Sequence, residues 1–307
     1  MSIWGINALN HGSSVAIFDQ GLKEFNFWKE GNIDVPYGRP NRIYWYEQPW
    51  VKKTRQFYAG QYKTAFDMSV LPSRYLKSVG LGSIPVTYTP HHASHAAAGY
   101  YTSPFNHCAI VVLDAIGEWD CASIWEAKHG EMTKVWSRKY PNSLGLFYSA
   151  FTKLIGLEPI KQEFLLQQMA EQGDASRFYF DVYKYAGTTL ENFENMHRGI
   201  YDWPHPINSL QDQCDIAASV QQIFEQQVNN VMILAKSLTG SNCLVYMGGC
   251  AMNSAANKKV VEPKFEYLWS LPQPGDPSSA IGAVLYHTQQ REWNWAWDPV
   301  KHIDIRV

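Results

Sequence analysis

The five cysteines among the 307 residues, Cys108, Cys121, Cys214, Cys243 and Cys250, are odd in number and show no close pairing. This argues against a disulfide framework and against a thiolate zinc site, and the cysteines read as small core residues. No apolar run approaches the ~20 residues of a membrane-spanning helix. The amino terminus, Met1-Ser2-Ile3-Trp4-Gly5-Ile6-Asn7, has no basic stretch leading into an apolar core, so neither a membrane contact nor export is expected. The expected location is the cytoplasm, of a host cell if the source is viral. What the chain does have is 46% hydrophobic content at 18% charge, enough for one large domain or two halves around a shared cleft.

The most informative stretch is His91-His92-Ala93-Ser94-His95, followed by the apolar run Ala109-Ile110-Val111-Val112-Leu113 and the carboxylate Asp114. A helix starting near Pro90, favoured by Ala96-Ala97-Ala98, stacks His91 and His95 on one face at a spacing of four. His92 points about 100° away from that face and is the poorer ligand. Asp114, at the carboxyl end of a buried strand, adds an oxygen. Two imidazoles and one carboxylate suit Fe(II), Zn(II) or Mn(II) with positions left open. The competing reading is a histidine-rich helix start followed by an ordinary core strand.

Near-neutral total charge hides a local imbalance. Arg39, Arg42, Lys52, Lys53, Arg55 and Lys63 face the single acid Glu47, and Tyr44, Trp45, Tyr46, Trp50, Phe57, Tyr58 and Tyr62 are interleaved with them. Cations alternating with flat rings can follow a phosphate backbone while stacking bases. A surface insertion with packed rings and solvated lysines explains the pattern equally well.

The chain opens with a predicted strand from Ile3 to Ala8, a polar turn through Asn10 to Ser14, a strand from Val15 to Phe18 and a third strand through Phe25 and Phe27. A second block repeats this pattern, with a strand Cys108–Leu113, a turn Asp114–Glu118 and a return strand Cys121–Ala127. The repetition predicts a duplicated α/β protein with a cleft between its halves. A long helix is expected over Gln211–Lys236, where apolar residues recur at helical spacing, with a stop at Gly240. Leu244–Met247 reads as a buried strand entering Gly248-Gly249-Cys250-Ala251-Met252-Asn253. Glycines at such a turn let a nucleotide approach the backbone, or simply make a tight turn. Asp276, in the Pro/Gly loop before a small-residue helix, either completes a metal site or caps that helix.

In order, His11-Gly12-Ser13-Ser14, the His91–His95 motif, Asp114-Ala115-Ile116-Gly117-Glu118, Ser143-Leu144-Gly145-Leu146-Phe147-Tyr148, Gly248–Asn253 and Gly275–Gly282 form six motifs. Together they resemble the nucleotide-dependent O-carbamoyltransferases of antibiotic and nodulation-factor biosynthesis, relatives of the tRNA threonylcarbamoyladenosine synthase, from about residue 3 to 290. The resemblance implies a duplicated actin-like fold that holds a divalent metal, Fe(II) first and Zn(II) or Mn(II) otherwise. It makes His91, His95, Asp114 and Asp276 the ligands, gives Gly248, Gly249 and Asn253 to an adenosine pocket, sets Ser143 and Gly145 beside the nucleotide phosphate, and puts His11 nearest the acceptor hydroxyl.

The implied reaction moves a carbamoyl group from carbamoyl phosphate, through carbamoyl adenylate made with ATP, to a hydroxyl. Three departures stand out. Gly12 replaces an aspartate that usually follows the turn histidine, and Gln167 replaces a lysine. The biosynthetic enzymes also continue into a second large domain that forms carbamoyl adenylate, whereas this sequence stops at Val307. The expectation is one catalytic domain over 1–307 in two halves, about 1–130 and 131–307, with the adenylate-forming domain absent and its task left either to a separate protein or to this domain itself. Arg39, Arg42, Trp45, Trp50, Lys52, Lys53 and Arg55 suggest DNA containing 5-hydroxymethylcytosine as acceptor. A free sugar, nucleoside or other small-molecule hydroxyl is the alternative, and a tRNA-modifying or non-catalytic subunit is a further one.

Overall fold

In the computed structural model the described residues are 2–10, 12–19, 24–29, 38–186, 195–291 and 294–295. Two mixed sheets carry the fold. The first has the order β11-β3-β2-β1-β4-β5, from Ser2–Asn7 (β1), Ser14–Asp19 (β2), Glu24–Lys29 (β3), Arg42–Trp45 (β4), Val86–Tyr88 (β5) and Asn294–Trp295 (β11). The second has the order β10-β9-β6-β7-β8, from His107–Gly117 (β6), Asp120–Lys128 (β7), Glu131–Lys139 (β8), Cys243–Met247 (β9) and Tyr267–Trp269 (β10).

In each sheet three consecutive strands meander antiparallel, and two later strands join the other side of the first one in parallel. Apart from the short β11, the second sheet repeats the order of the first. The fold is the duplicated, actin-like α/β arrangement expected from the sequence. The halves divide earlier than residue 130, because β6 and β7 already belong to the second sheet.

The helices are Pro49–Tyr58 (α1), Tyr62–Phe66 (α2), Pro72–Ser78 (α3), His91–Thr102 (α4), Leu144–Leu154 (α5), Glu163–Ala170 (α6), Tyr179–Ala186 (α7), Leu210–Thr239 (α8), Ser254–Ala256 (α9) and Ser279–Thr288 (α10). Helices α4 and α10 lie between the sheets. Their alanines pack with Ile3, Ala16 and Phe18 of the first sheet and with Ile110, Val112, Val245 and Met247 of the second. Small residues let the two helices approach closely. A Cβ on Gly282 would collide with the carbonyl oxygen of Ser94 in α4, and one on Gly5 with that of Ala280 in α10.

On the far side of the second sheet, α5 and α8 cover Val111, Leu113 and Ile124. Helix α8 starts in a capping box between Ser209 and Asp212 and ends on Gly240 in the left-handed conformation. Four of the five cysteines are buried and Cys243 is partly so, all as free thiols. Among the described residues no helix is long and apolar enough to cross a membrane.

Candidate metal centre

Helix α4 begins directly at His91, so His91 and His95 occupy the same face one turn apart, with Nε2 atoms 3.1 Å from each other. Asp114 follows the apolar run of β6, where the pairing register with β7 shifts between Leu113 and Gly117. Such an irregularity re-aims side chains at the end of a strand. Here it coincides with the Asp114 carboxylate, whose Oδ2 lies 3.1 Å from His91 Nε2 and 3.9 Å from His95 Nε2. Asp276 enters from the turn before α10, its Oδ1 3.4 Å from His91 Nε2 and 3.5 Å from His95 Nε2. One donor atom from each of the four residues lies within 4.8 Å of all the others.

Hydrogen bonding alone serves this pocket poorly. His91 Nε2 faces two carboxylate oxygens and a second imidazole nitrogen, yet one N–H can satisfy only one of them. Burial disfavours charge on His91, but the hydrogen bond to Asp114 and the charges of Asp276 and Asp114 outweigh it and push its pKa up to about 9. Burial likewise opposes ionisation of Asp114, and the neighbouring histidines overcome it, holding the carboxyl well below the usual range. A proton held by His91 against two buried carboxylates occupies a position that a divalent cation also fits. Two imidazole nitrogens and two carboxylate oxygens fit a borderline divalent ion such as Fe(II), Zn(II) or Mn(II).

His92 is turned elsewhere, its Nδ1 2.8 Å from Ser123 Oγ, and burial keeps it neutral. His91 Nδ1 is buried without a hydrogen-bond partner among the described residues. Packing against the Tyr46 ring, 5.4 Å between centroids, orients the imidazole instead.

Glu118 is a neighbour that sequence reasoning missed. It follows the irregular end of β6 in the left-handed conformation, φ 56°. Its Oε1 accepts the backbone N–H of Gln48, at the start of α1, and that of His91, at the start of α4. Burial raises its pKa to about 7 despite those two amides. A carboxylate in a turn between two apolar strands was the available signal.

Of the residues expected to bind nucleotide, Ser143 and Gly145 start α5 against the end of β6, and Gly248, Gly249 and Asn253 follow β9. Ser143 is buried and caps α5, accepting Leu146 N–H while donating to the carbonyl of Ala115. A Cβ on Gly145 would strike the backbone of Asp114 and Ala115, and one on Gly248, at φ 93°, that of Leu113. Helix capping thus gives Ser143 a structural role, and close backbone packing gives one to Gly145 and Gly248. Gly249 is more open: a Cβ there would meet Asp114 Oδ1 at 3.1 Å. Asn253 caps α9, and its amide pairs with Gln221. Gln167 donates to Ser254 Oγ. His11 lies outside the described residues.

The expected nucleic-acid strip is dispersed. Lys53 is 8% exposed and donates to the carbonyls of Thr64 and Asp67, and Arg55, 5% exposed, donates to the carbonyl of Glu118 and to Gln61. Lys52 pairs with Glu47, and Trp45 is buried within β4. Arg39 and Arg42 are exposed but donate to Gly80 O and Thr87 Oγ1. Helix α1 instead turns Trp50, Phe57 and Tyr58 outward. A sequence pattern cannot tell which face of such a helix is wet, and here desolvated cations find carbonyl partners inside.

The chain belongs to the carbamoyltransferase N-terminus family, whose model matches residues 45–285. It is 32% identical over 224 residues to the uncharacterized protein sll1178 of Synechocystis sp., covering 66% of this chain and 36% of that one. It is 24% identical over 216 residues to the nodulation protein NolNO of Sinorhizobium fredii, covering 65% of this chain and 31% of that one. Among solved structures it is similar to component A of (R)-2-hydroxyglutaryl-CoA dehydratase from Acidaminococcus fermentans, with a TM-score of 0.47 at 13% identity, over 94% of this chain and 99% of that one. The matched stretches thus span about a third of these sequence relatives' own lengths.

Proposed function

We propose that this chain catalyses the transfer of a carbamoyl group from carbamoyl adenylate to the hydroxyl of a small-molecule acceptor. The observation that carries the reading is the cluster His91, His95, Asp114 and Asp276, which lies wholly within the stretch matched by the family model. A divalent ion held by these four residues would act as a Lewis acid toward the mixed anhydride. In the transfer, the acceptor oxygen bonds to the carbamoyl carbon, the bond from that carbon to the phosphate oxygen breaks, and AMP leaves with the electron pair. The hydroxyl proton needs a base. His11 is the candidate, an imidazole suited to the task near neutral pH that stands in the sequence between Asn10 and Gly12, whose contacts are with Asp276 and Asn7.

Carbamoyl adenylate itself would come from carbamoyl phosphate and ATP, made by a separate protein or domain. Gly249, beside Asp114, is the place where the nucleotide would approach the backbone. A small acceptor is favoured over hydroxymethylated DNA because Lys53 and Arg55, the central cations of the basic segment, are buried among carbonyl partners.

The test is incubation of the protein and Fe(II) with carbamoyl adenylate prepared separately, against panels of sugars, nucleosides and hydroxymethylated DNA, followed by mass spectrometry. The reading expects a sugar or nucleoside to gain one carbamoyl group in place of a hydroxyl hydrogen. Modification of DNA alone would reverse the choice of acceptor. Hydrolysis of the adenylate with no acceptor modified would reject the transfer.

A further inference from the structure

The two carboxylates of the cluster are held in the same unusual way. Asp276 turns Oδ1 toward His91 and His95, while its Oδ2 accepts Nδ2–H of Asn10 at 2.5 Å. Asp114 turns Oδ2 toward His91, while its Oδ1 accepts the backbone N–H of Gly249 at 3.3 Å. A carboxylate free to rotate can offer a cation one oxygen or both. A donor fixed on one oxygen leaves the other for the ion and sets the angle at which it arrives. For Asp114 that donor is backbone, whereas for Asp276 it is a side chain that substitution can remove.

The orientation of the Asn10 amide follows from its partner, since the reverse arrangement would set its oxygen against a carboxylate oxygen. Asn10 belongs to the β1–β2 turn, and the strand ends flanking that turn make two more ties to the Asp276 segment. Asn7 Nδ2 donates to the carbonyl of Asp276 at 2.9 Å, and Ser14 Oγ donates to that of Pro277 at 2.7 Å. Both of these end on backbone and leave the carboxylate untouched.

We propose that Asn10 is a positioning residue for the metal centre, whose amide restricts Asp276 to ligation through one oxygen. The proposal rests on the metal reading of the cluster. Nothing about the position of Asn10 in the sequence announces it, because only the fold brings residue 10 against residue 276.

The experiment titrates Co(II) into the purified full chain, reading affinity by competition with a chromophoric chelator and ligand geometry by the visible absorption of bound Co(II). Asn10→Ala and the similarly sized Asn10→Leu both remove the donor, so that failure of either one to fold leaves the other. Each is expected to weaken Co(II) binding by about 10- to 100-fold and to shift the absorption bands. Ser14→Ala loosens the same turn without touching the carboxylate and is expected to keep wild-type affinity and spectrum. Unchanged affinity and spectrum in the Asn10 variants would overturn the proposal, as would an equal change in Ser14→Ala. No Co(II) binding by the wild type, or full binding by a His91→Ala/His95→Ala variant, would instead overturn the metal reading beneath it.

Discussion

Nε2 of His95 lies 3.1 Å from Nε2 of His91, closer than it lies to either Asp114 or Asp276. Two basic nitrogens at that distance share one proton or one cation. Elemental analysis of the purified chain should find about one divalent transition ion per molecule, and none in His91→Ala/His95→Ala. Retention of the ion by the double variant would move the centre elsewhere.

Glu118 predicts a pH dependence that can be isolated by one substitution. Its folded pKa of about 7 lies above the ordinary 4.5. Between these values the folded chain keeps a proton that the unfolded chain has released, so stability falls as pH rises from 4.5 toward 7. Glu118→Gln keeps an oxygen for the amides of Gln48 and His91 and does not titrate. Urea denaturation of the metal-free protein should show the variant gaining on wild type by roughly 2–3 kcal/mol across that window. Parallel curves would contradict the burial of this carboxylate.

Lys53 and Arg55 should behave as structural residues. Replacing either by Ala leaves carbonyl or amide partners unpaired and should cost about 1.5–3 kcal/mol, measured by chemical denaturation. Neither change should alter the salt dependence of any DNA binding. A slope shallower by about one unit for each lost cation would return them to a phosphate-contacting surface.

Gly282→Ala should be among the most damaging single-methyl additions in the chain, since the new carbon meets the Ser94 carbonyl of the helix that carries His91 and His95. A loss of ~3 kcal/mol or more is expected, together with weaker metal binding. Thermal melting and Co(II) titration check the two effects separately. A variant as stable as wild type would mean that α4 and α10 can separate without cost.

The repeated strand–turn–strand blocks and the long α8 were legible because their apolar periodicity is strong. Strand β8 was not, since Glu131–Lys139 is largely solvated and carries charges along a sheet edge. His91, His95 and Asp114 were legible as a group because helix and strand periods alone bring them to one crevice. Asp276 was singled out with two readings, ligand or helix cap, and the structure turns one of its oxygens toward the histidines while no side-chain cap bond is made to the short helix it begins. Glu118 and Asn10 act through contacts between distant segments, which no local pattern encodes. The inside-out face of α1 defeated the reading of its charges for the same reason: the partners of Lys53 and Arg55 are backbone carbonyls, invisible in a string of side chains.

The placement of α10 has a consequence for synthesis on the ribosome. This helix packs on β1 through the close approach of Gly5 to Ala280, and the loop before it supplies Asp276. Strand β1 therefore waits for residues made some 270 positions later, with Ile3, Ala16 and Phe18 of its sheet lacking part of their cover in the interval. Ion binding can reward folding only once Asp276 has been made, so slow emergence of the last tenth of the matched region should leave a nascent chain open to chaperones.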